Sequence, residues 1–277
     1  MRLGVTLFTT DRTMVVHELA AAAEERGFVS LFVPEHTHIP VSRKTPPPTG
    51  VDTLPDEYAR TPDPFVALAA AAAVTERIRL GTGVALPAQR DPIVTAKAIA
   101  TLDRIAGGRF VLGAGYGWNA EEAADHGVPW KRRRAMVREH VLAMRELWTR
   151  DEASYAGEFV AFEPCWSWPK PVGPVPVLLG GAPGPTLFAH IAEFGDGWMP
   201  IGGAGIRDAL PALRAACDAA GREMVQVVPF GTLPTPEKLD YYAGLGVEEV
   251  VLRLPAGGRE EVLPVLDEYA RTYAAFM

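Results

Sequence analysis

Short apolar runs alternate along the chain with stretches in which apolar residues recur at helical spacing. A short apolar run bounded by glycine or proline is typical of a buried β-strand, whereas recurrence every three to four residues is typical of an amphipathic helix. The pattern predicts strands at 3–8, 30–33, 78–86, 110–115, 175–179, 197–201, 225–230 and 249–254. It predicts helices at about 13–26, 63–75, 91–106, 132–149, 185–194, 206–220, 236–245 and 260–275.

This alternation of strands and helices indicates an α/β protein with a parallel sheet. Eight such units in 277 residues most simply close into a (β/α)8 TIM barrel, and a doubly wound open sheet is the alternative. The chain contains neither an interdomain linker nor an internal repeat beyond the β/α unit. We therefore expect residues 1–277 to form a single domain.

Two segments interrupt the alternation. Residues 37–62, after the second strand, contain a run of prolines and no apolar periodicity, so we expect a long loop. Residues 152–174, before the fifth strand, contain Trp166 and Trp168 and predict a hairpin with an aromatic excursion. Long loops inside a compact domain are usually lids or binding loops, and both segments are candidates for that role.

Composition narrows the class of protein. The net charge of −7 argues against a nucleic-acid surface, which needs a basic face. The basic run Lys131–Arg134 is either a solvated helix face or an anchor for a polyanionic cofactor tail. The longest apolar run is too short to span a membrane, and the chain starts without a cleavable signal. Two widely spaced cysteines, Cys165 and Cys217, fit a reducing compartment, so we expect a cytoplasmic protein.

The second predicted strand ends in Glu35 and His36, with His38 two residues further on. In barrels the functional groups gather at the carboxyl ends of the strands. We therefore predict His36 and Glu35 as the catalytic residues. His36 would be a catalytic or ligand-polarising histidine, and Glu35 would support it by orienting it or would face the loop. The alternative is that both residues only fix the loop behind them. Since Glu35, His36 and His38 are the only metal-binding residue types at these strand ends, we expect no metal.

The other strand ends are rich in glycine. Gly113, Gly115 and Gly117 follow the fourth strand, and Gly180 and Gly181 follow the fifth and precede a helix. Bare N–H groups at a helix N-terminus can hold a phosphate, and glycine lets backbone approach a flat ligand. Together these loops suggest a planar, phosphorylated cofactor. Turns also use glycine for purely steric reasons, which is the alternative interpretation.

A series of motifs, taken in order, resembles the luciferase-like monooxygenase superfamily, and within it the coenzyme F420-dependent oxidoreductases of actinobacteria. The motifs are Pro34–Pro40, Arg79–Val84, Gln89–Pro92, Leu102–Gly113, Gly115–Asn119, Gly127–Pro129, Glu146–Trp148, Pro169–Pro171, Leu179–Gly181 and Gly195–Pro200. They cover nearly the whole chain. Their order is specific to the superfamily and much less specific to the cofactor.

The resemblance implies a (β/α)8 barrel with a reduced insertion before the fifth strand and F420, or alternatively FMN, at its carboxyl mouth. Relatives carry a non-prolyl cis peptide bond behind the cofactor ring, for which Gly83-Val84 is the matching place. Relatives hold the phosphate in the loop that matches Gly180-Gly181, and they place the histidine that matches His36 beside the ring. The implied cofactor-binding residues are Phe8, His36, Gly83, Val84, Gly115, Tyr116, Gly180, Gly181, Ala182, Trp198 and Pro200.

Three functions follow from the resemblance. The first is hydride transfer between F420 and a small, apolar or planar organic substrate, with His36 handling the proton. The second is an FMN-dependent monooxygenase that uses a separate reductase. The third is a flavin-binding protein without catalysis. This chain is shorter than many relatives, so the reduced insertion would leave the pocket either open to solvent or closed by a partner subunit. We expect a homodimer.

Overall fold

A parallel β-sheet organises the chain in the computed structural model, which describes residues 1–48, 50, 53–203 and 205–276. Within these residues nine strands form the main sheet, in the order β10-β11-β1-β2-β3-β4-β7-β8-β9. Their bounds are β1 Arg2–Thr6, β2 Ser30–Val33, β3 Arg79–Thr82, β4 Phe110–Ala114, β7 Val177–Gly180, β8 Gly197–Met199, β9 Gln226–Val227, β10 Phe230–Thr232 and β11 Glu249–Arg253. Strands β5 (Ala153–Ala156) and β6 (Ala161–Cys165) form a separate antiparallel hairpin.

The sheet curls round so that its two end strands are consecutive pieces of chain. Strands β9 and β10 are separated only by residues 228 and 229, and the Phe230 N–H donates to the Pro200 carbonyl at 2.9 Å. The predicted α/β class and parallel sheet are confirmed. The predicted strand 225–230 is divided in two because Pro229 lacks the N–H that would continue the ladder.

Both faces of the sheet are buried, which explains why its strands are continuous apolar runs. Side chains alternate along each strand, so Phe32 points to one face while Leu31 and Val33 point to the other. Phe32 belongs to a small inner cluster with Val111, Leu178, Met199, Val228, Phe230 and Val251. Leu31 and Val33 belong to the larger cluster that packs against the helices.

Nine α-helices are present in the described part of the chain. Their bounds are α1 Val16–Glu25, α2 Pro64–Ala72, α3 Pro92–Ile105, α4 Ala120–Asp125, α5 Arg133–Thr149, α6 Pro185–Phe194, α7 Ile206–Ala219, α8 Pro236–Gly244 and α9 Arg259–Thr272. The expected starts of α2 and α3 are confirmed, since Asp63 and Asp91 cap helices whose first residue is proline. Helix α4 was not predicted. No helix of the described residues is both long and apolar enough to cross a membrane.

The two irregular segments differ in their relation to the sheet. The loop 37–62 contains a short 3-10 helix, Asp56–Ala59, and sends Pro48, Pro55 and Tyr58 into the cavity described below. The segment 152–174 contains the β5–β6 hairpin, whereas Trp166 and Trp168 are 79% and 57% exposed. Neither tryptophan lines the cavity, so they do not inform the choice of substrate.

Candidate functional site

A cavity of about 550 Å³ opens at the carboxyl ends of the strands. Nine of the predicted site residues line it, namely Phe8, Glu35, His36, Gly83, Val84, Gly115, Tyr116, Gly180 and Gly181. Sequence reasoning did not assign a site role to several others that line it, including Glu57, Tyr58, Trp118, Phe230 and Arg253. The predicted residues therefore gather at one edge of the sheet and form part of the lining of this cavity.

A larger groove, of about 1150 Å³, lies on the outer surface between α6 and α7. Alanine, proline and glycine make up most of its lining. None of the predicted site residues lies there. We take the smaller cavity as the candidate site because it collects the titratable and aromatic side chains at the strand ends.

His36 is held by two side chains from the segment that follows β4. Its Nδ1 lies 2.9 Å from Oε2 and 3.1 Å from Oε1 of Glu122, and its Nε2 accepts a hydrogen bond from the Trp118 indole N–H at 3.3 Å. His36 is 9% exposed and Glu122 is fully buried. The imidazole is therefore fixed at both nitrogens, with its ring 5.4 Å from that of Tyr58.

Glu122 lies in the first turn of α4, so the start of this helix determines whether its side chain reaches His36. The Asn119 side chain caps this helix by accepting from the backbone N–H groups of Glu121 and Glu122. Two acidic residues in the first turn also suit the positive end of a helix. An asparagine followed by acidic residues is a helix-start signal, and it is the one feature of the sequence that could have revealed α4.

Glu35 faces a different group. Its Oε2 accepts from the Leu86 N–H at 2.7 Å, and its Oε1 forms an ion pair with Arg90, which also pairs with Asp63. Burial alone would lower the pKa of Arg90, but the two carboxylates outweigh burial and raise it. Both oxygens of Glu35 are engaged in holding residues 86–90. This geometry favours the alternative in which Glu35 fixes the loop, and a catalytic role for Glu35 stays a prediction.

Val84 projects into the cavity, and two glycines, Gly115 and Gly180, leave room for its side chain. The peptide bond Gly83-Val84 is cis, as the resemblance implied. A Cβ on Gly115 would lie 2.5 Å from Val84 Cγ2, and a Cβ on Gly180 would lie 2.7 Å from Val84 Cγ1. A Cβ on Gly83 would lie 2.4 Å from the Phe230 ring. Gly115 and Gly180 thus have a steric role around Val84, and Gly83 has one beside Phe230, in addition to any contact with a ligand.

Three predicted cofactor residues lie outside the cavity lining. Trp198 is fully buried behind the loop and donates its indole N–H to the Gly181 carbonyl at 3.0 Å. The Pro200 carbonyl accepts from Phe230 in the sheet, and Ala182 is exposed. The polar atoms of Trp198 and Pro200 are used within the protein, so both residues support the cavity wall from behind, and their contact with a cofactor stays a prediction. Ala182 lies beyond the edge of the cavity.

Tyr116 forms a wall between the cavity and α6. Its hydroxyl lies 2.9 Å from His190 Nδ1. Burial raises the pKa of Tyr116 to about 12, so the phenol stays protonated near neutral pH. Burial lowers the pKa of His190, which favours its neutral form. The pair is thus a neutral hydrogen bond that fixes the wall.

Arg133 and Arg134, from the predicted basic run, line the cavity. Arg133 stacks on Trp130 at 3.8 Å, and Arg134 lies over the Tyr116 ring at 5.4 Å. Neither guanidinium has a carboxylate partner among the described residues, and the buried Arg133 Nε has no hydrogen-bond partner there. Burial and the nearby Arg134 lower the pKa of Arg133. By contrast, Arg132 pairs with Glu158 on the surface.

His38 is the last of the three potential metal ligands at the end of β2. Among the described residues, no group of three or more His, Cys, Asp or Glu side chains could hold a metal ion. His38 contacts Thr37 through Nδ1 and Asp125 through Nε2, each at 3.0 Å. These contacts join the loop after β2 to the end of α4. His38 therefore has a structural role.

A family model described as luciferase-like monooxygenase matches residues 3–235. The chain belongs to the luciferase-like monooxygenase family. Two family relatives are informative. An uncharacterized protein of Mycobacterium tuberculosis is 47% identical over 279 residues, which cover 99% of both chains. The F420-dependent glucose-6-phosphate dehydrogenase of Nakamurella multipartita is 33% identical over 215 residues, which cover 75% of this chain and 59% of that enzyme.

Solved structures of the same fold include an F420-dependent secondary alcohol dehydrogenase in complex with an F420-acetone adduct. The two chains superpose with a TM-score of 0.79 over their whole lengths, at 17% identity. At this identity the likeness establishes the fold alone. The luciferase-like assignment and the F420-dependent relatives agree with the family that the sequence motifs resembled.

Proposed function

We propose that this chain is an oxidoreductase that transfers a hydride between coenzyme F420 and a small organic substrate. The observation that carries the proposal is a single cavity lined both by a fixed histidine, His36, and by the arginines Arg133 and Arg134. We further propose that the curled sheet and its helices form a (β/α)8 barrel in a single domain, and that the β5–β6 hairpin is the reduced insertion.

The cavity fits a cofactor of this kind. Its volume of about 550 Å³ lies within the range of roughly 300–1,000 Å³ that small-molecule sites occupy. Arg133 and Arg134 have no carboxylate partner among the described residues, so an anionic ligand would supply the missing charge. Gly180 and Gly181 bring backbone to the cavity wall beside α6, which suits a phosphate group.

When bound, F420 would supply the hydride donor or acceptor. His36 would hold or release a proton at Nε2, the nitrogen that Glu122 does not contact. Val84 would support one face of a planar ring, because Gly115 and Gly180 leave its side chain room to project. Tyr58 and Trp118 pack beside the histidine, and Phe8 packs against Tyr58. This aromatic surface would exclude water and favour an apolar substrate.

Titration of the purified protein with F420 and with FMN tests the cofactor, followed by cofactor absorbance and fluorescence. We expect F420 to bind and Arg134→Glu to weaken its binding about tenfold or more, since a charge reversal near an anion is worth about 1–2 kcal/mol in a partly hydrated site. Arg132→Glu is the matched control, because Arg132 pairs with Glu158 outside the cavity. Tight FMN binding with oxygen-dependent turnover, and no F420 binding, would overturn the proposal.

That outcome would instead support an FMN-dependent monooxygenase. The observation favouring this second candidate is that a single phosphate would also satisfy the arginine pair. His36→Ala separates both from a non-catalytic flavin carrier, since it would lower turnover in an enzyme and change nothing in a carrier. The expected homodimer and cytoplasmic location stay predictions, which light scattering and cell fractionation check.

A further inference from the structure

We propose that Glu122 is a positioning residue that holds His36 in one neutral tautomer, with the proton on Nδ1 and the lone pair on Nε2. We also infer that Trp118 covers this lone pair until a ligand group takes its place. The role of the ligand rests on the proposed function. The tautomer itself does not, because it follows from contacts within the protein.

The assignment comes from what each partner is able to do. The indole N–H of Trp118 can only donate, so Nε2 of His36 must be the acceptor. A neutral imidazole has one acceptor nitrogen, which leaves Nδ1 as the N–H that donates to the Glu122 carboxylate. A doubly protonated ring would set two N–H groups against each other at Nε2. The contacts therefore select a single form.

Burial makes this selection effective. Glu122 is fully buried and His36 is 9% exposed, so water has little access to Nδ1 and cannot replace the carboxylate. The cap at Asn119 fixes the start of α4 and hence the position from which Glu122 approaches. A histidine whose second nitrogen is held by a carboxylate has a defined ring orientation and tautomer.

Trp118 occupies the only acceptor position on the ring that Glu122 leaves open. A ligand that donates an O–H or N–H to Nε2 must replace the indole N–H, which lies at a long 3.3 Å. A ligand that only accepts cannot bond to Nε2 until His36 is protonated. Trp118 also lines the cavity, so the exchange occurs where a substrate would lie.

The tautomer is measured directly by 15N NMR of histidine-labelled full-length protein near neutral pH, with the His36→Gln spectrum identifying the signal among the six histidines. We expect Nδ1 to show the shift of a protonated nitrogen and Nε2 that of a lone-pair nitrogen. A wild-type spectrum with Nε2 protonated would overturn the proposal. This measurement requires neither a cofactor nor a variant at Glu122.

Glu122→Gln tests the positioning role, with Glu121→Gln as the matched control on the same helix. Glu121 binds Lys44 and Thr45 and does not contact His36. We expect Glu122→Gln to populate the Nε2-protonated tautomer, because an amide can donate to Nδ1, and to lower kcat about 10–100-fold with a smaller change in KM. Glu121→Gln should leave the tautomer unchanged. Equal effects of the two variants on tautomer and kcat would overturn the positioning role.

Trp118→Phe tests whether the Trp118 indole N–H competes with a ligand for Nε2 of His36. It should keep Nδ1 protonated, since Glu122 is still present, and lower KM by up to about fivefold by removing one competing hydrogen bond. An unchanged or higher KM would overturn this part. The failures are distinguishable: absence of F420 binding with the expected tautomer refutes only the proposed function, whereas F420 turnover with Nε2 protonated refutes only the positioning role.

Discussion

Glu35 and Arg90 form a buried ion pair, and its loss should be measurable as folding stability. The Glu35 side chain is 2% exposed and the Arg90 side chain 19% exposed, so neither charge is well hydrated. Glu35→Gln keeps the size of the side chain and an acceptor for the Leu86 N–H while removing the charge that Arg90 faces. The substitution thus isolates the ion pair from the packing.

The size of the stability loss in Glu35→Gln depends on the carboxylate partner that Arg90 keeps. Removing one partner of a buried ion pair costs about 3–5 kcal/mol, because the other charge stays buried without compensation. Here Arg90 keeps Asp63, whose side chain is 42% exposed and therefore screened by solvent. We expect the free energy of unfolding to fall by about 2–3 kcal/mol, which is below the full range since one partner survives.

Urea denaturation measures this loss as a lower midpoint with an unchanged slope. A double-mutant cycle with Arg90→Met supplies the control, since removing both charges should restore much of the stability that Glu35→Gln loses. Additive losses in the double variant would refute the ion-pair argument. A Glu35→Gln protein of wild-type stability whose turnover is abolished would instead support the catalytic role predicted for Glu35 from the sequence.

Three further outcomes are expected. Hydrogen bonds from Thr45 and the backbone lower the pKa of Glu121 from its ordinary value of 4.5 to about 2. Its contribution to stability is therefore complete above about pH 4.5 and is lost as the pH falls toward 2. The difference in unfolding free energy between wild type and Glu121→Gln, measured by urea titration at several pH values, should shrink as the pH falls through that window. Asn119→Ala should destabilise the protein by about 1 kcal/mol, measured in the same way, because it removes the cap of α4. Gly180→Ala should lower the melting temperature through a loss of about 1–3 kcal/mol, since its Cβ would meet Val84, whereas Gly184→Ala should not, because nothing lies within 4 Å of that position.

The sequence predicted those parts of the fold that depend on local signals. Apolar runs located the strands because both faces of the sheet are buried. Asp63 and Asp91 located two helix starts because an N-cap followed by proline acts within a few residues. The strand at 225–230 was predicted as continuous because its apolar pattern continues across Pro229, although proline cannot complete the ladder.

Partners across the site could not be predicted, because they depend on distant contacts. Glu122 lies 86 positions after His36 and belongs to a helix of only six residues, too short to show apolar periodicity. The glycines illustrate the same limit. Their sequence suggested contact with a ligand, whereas the structure also shows Gly115 and Gly180 making room for Val84. The residue type limits the roles that a position can have, and the residues that pack against it in the fold determine which of these roles it has.

The charges of the cavity connect these observations to its ligand. Glu35 is paired with Arg90 and Glu57 lies 3.9 Å from Arg253, whereas the Glu122 carboxylate accepts from a histidine that we infer to be neutral, His36. Among the described residues this pairing leaves the guanidinium groups of Arg133 and Arg134 without an opposing charge. The chain carries a net charge of −7, yet its candidate site has an excess of positive charge. Since a local field rather than the overall charge selects a ligand at close range, these two guanidinium groups suit an anionic ligand, as the proposed function requires.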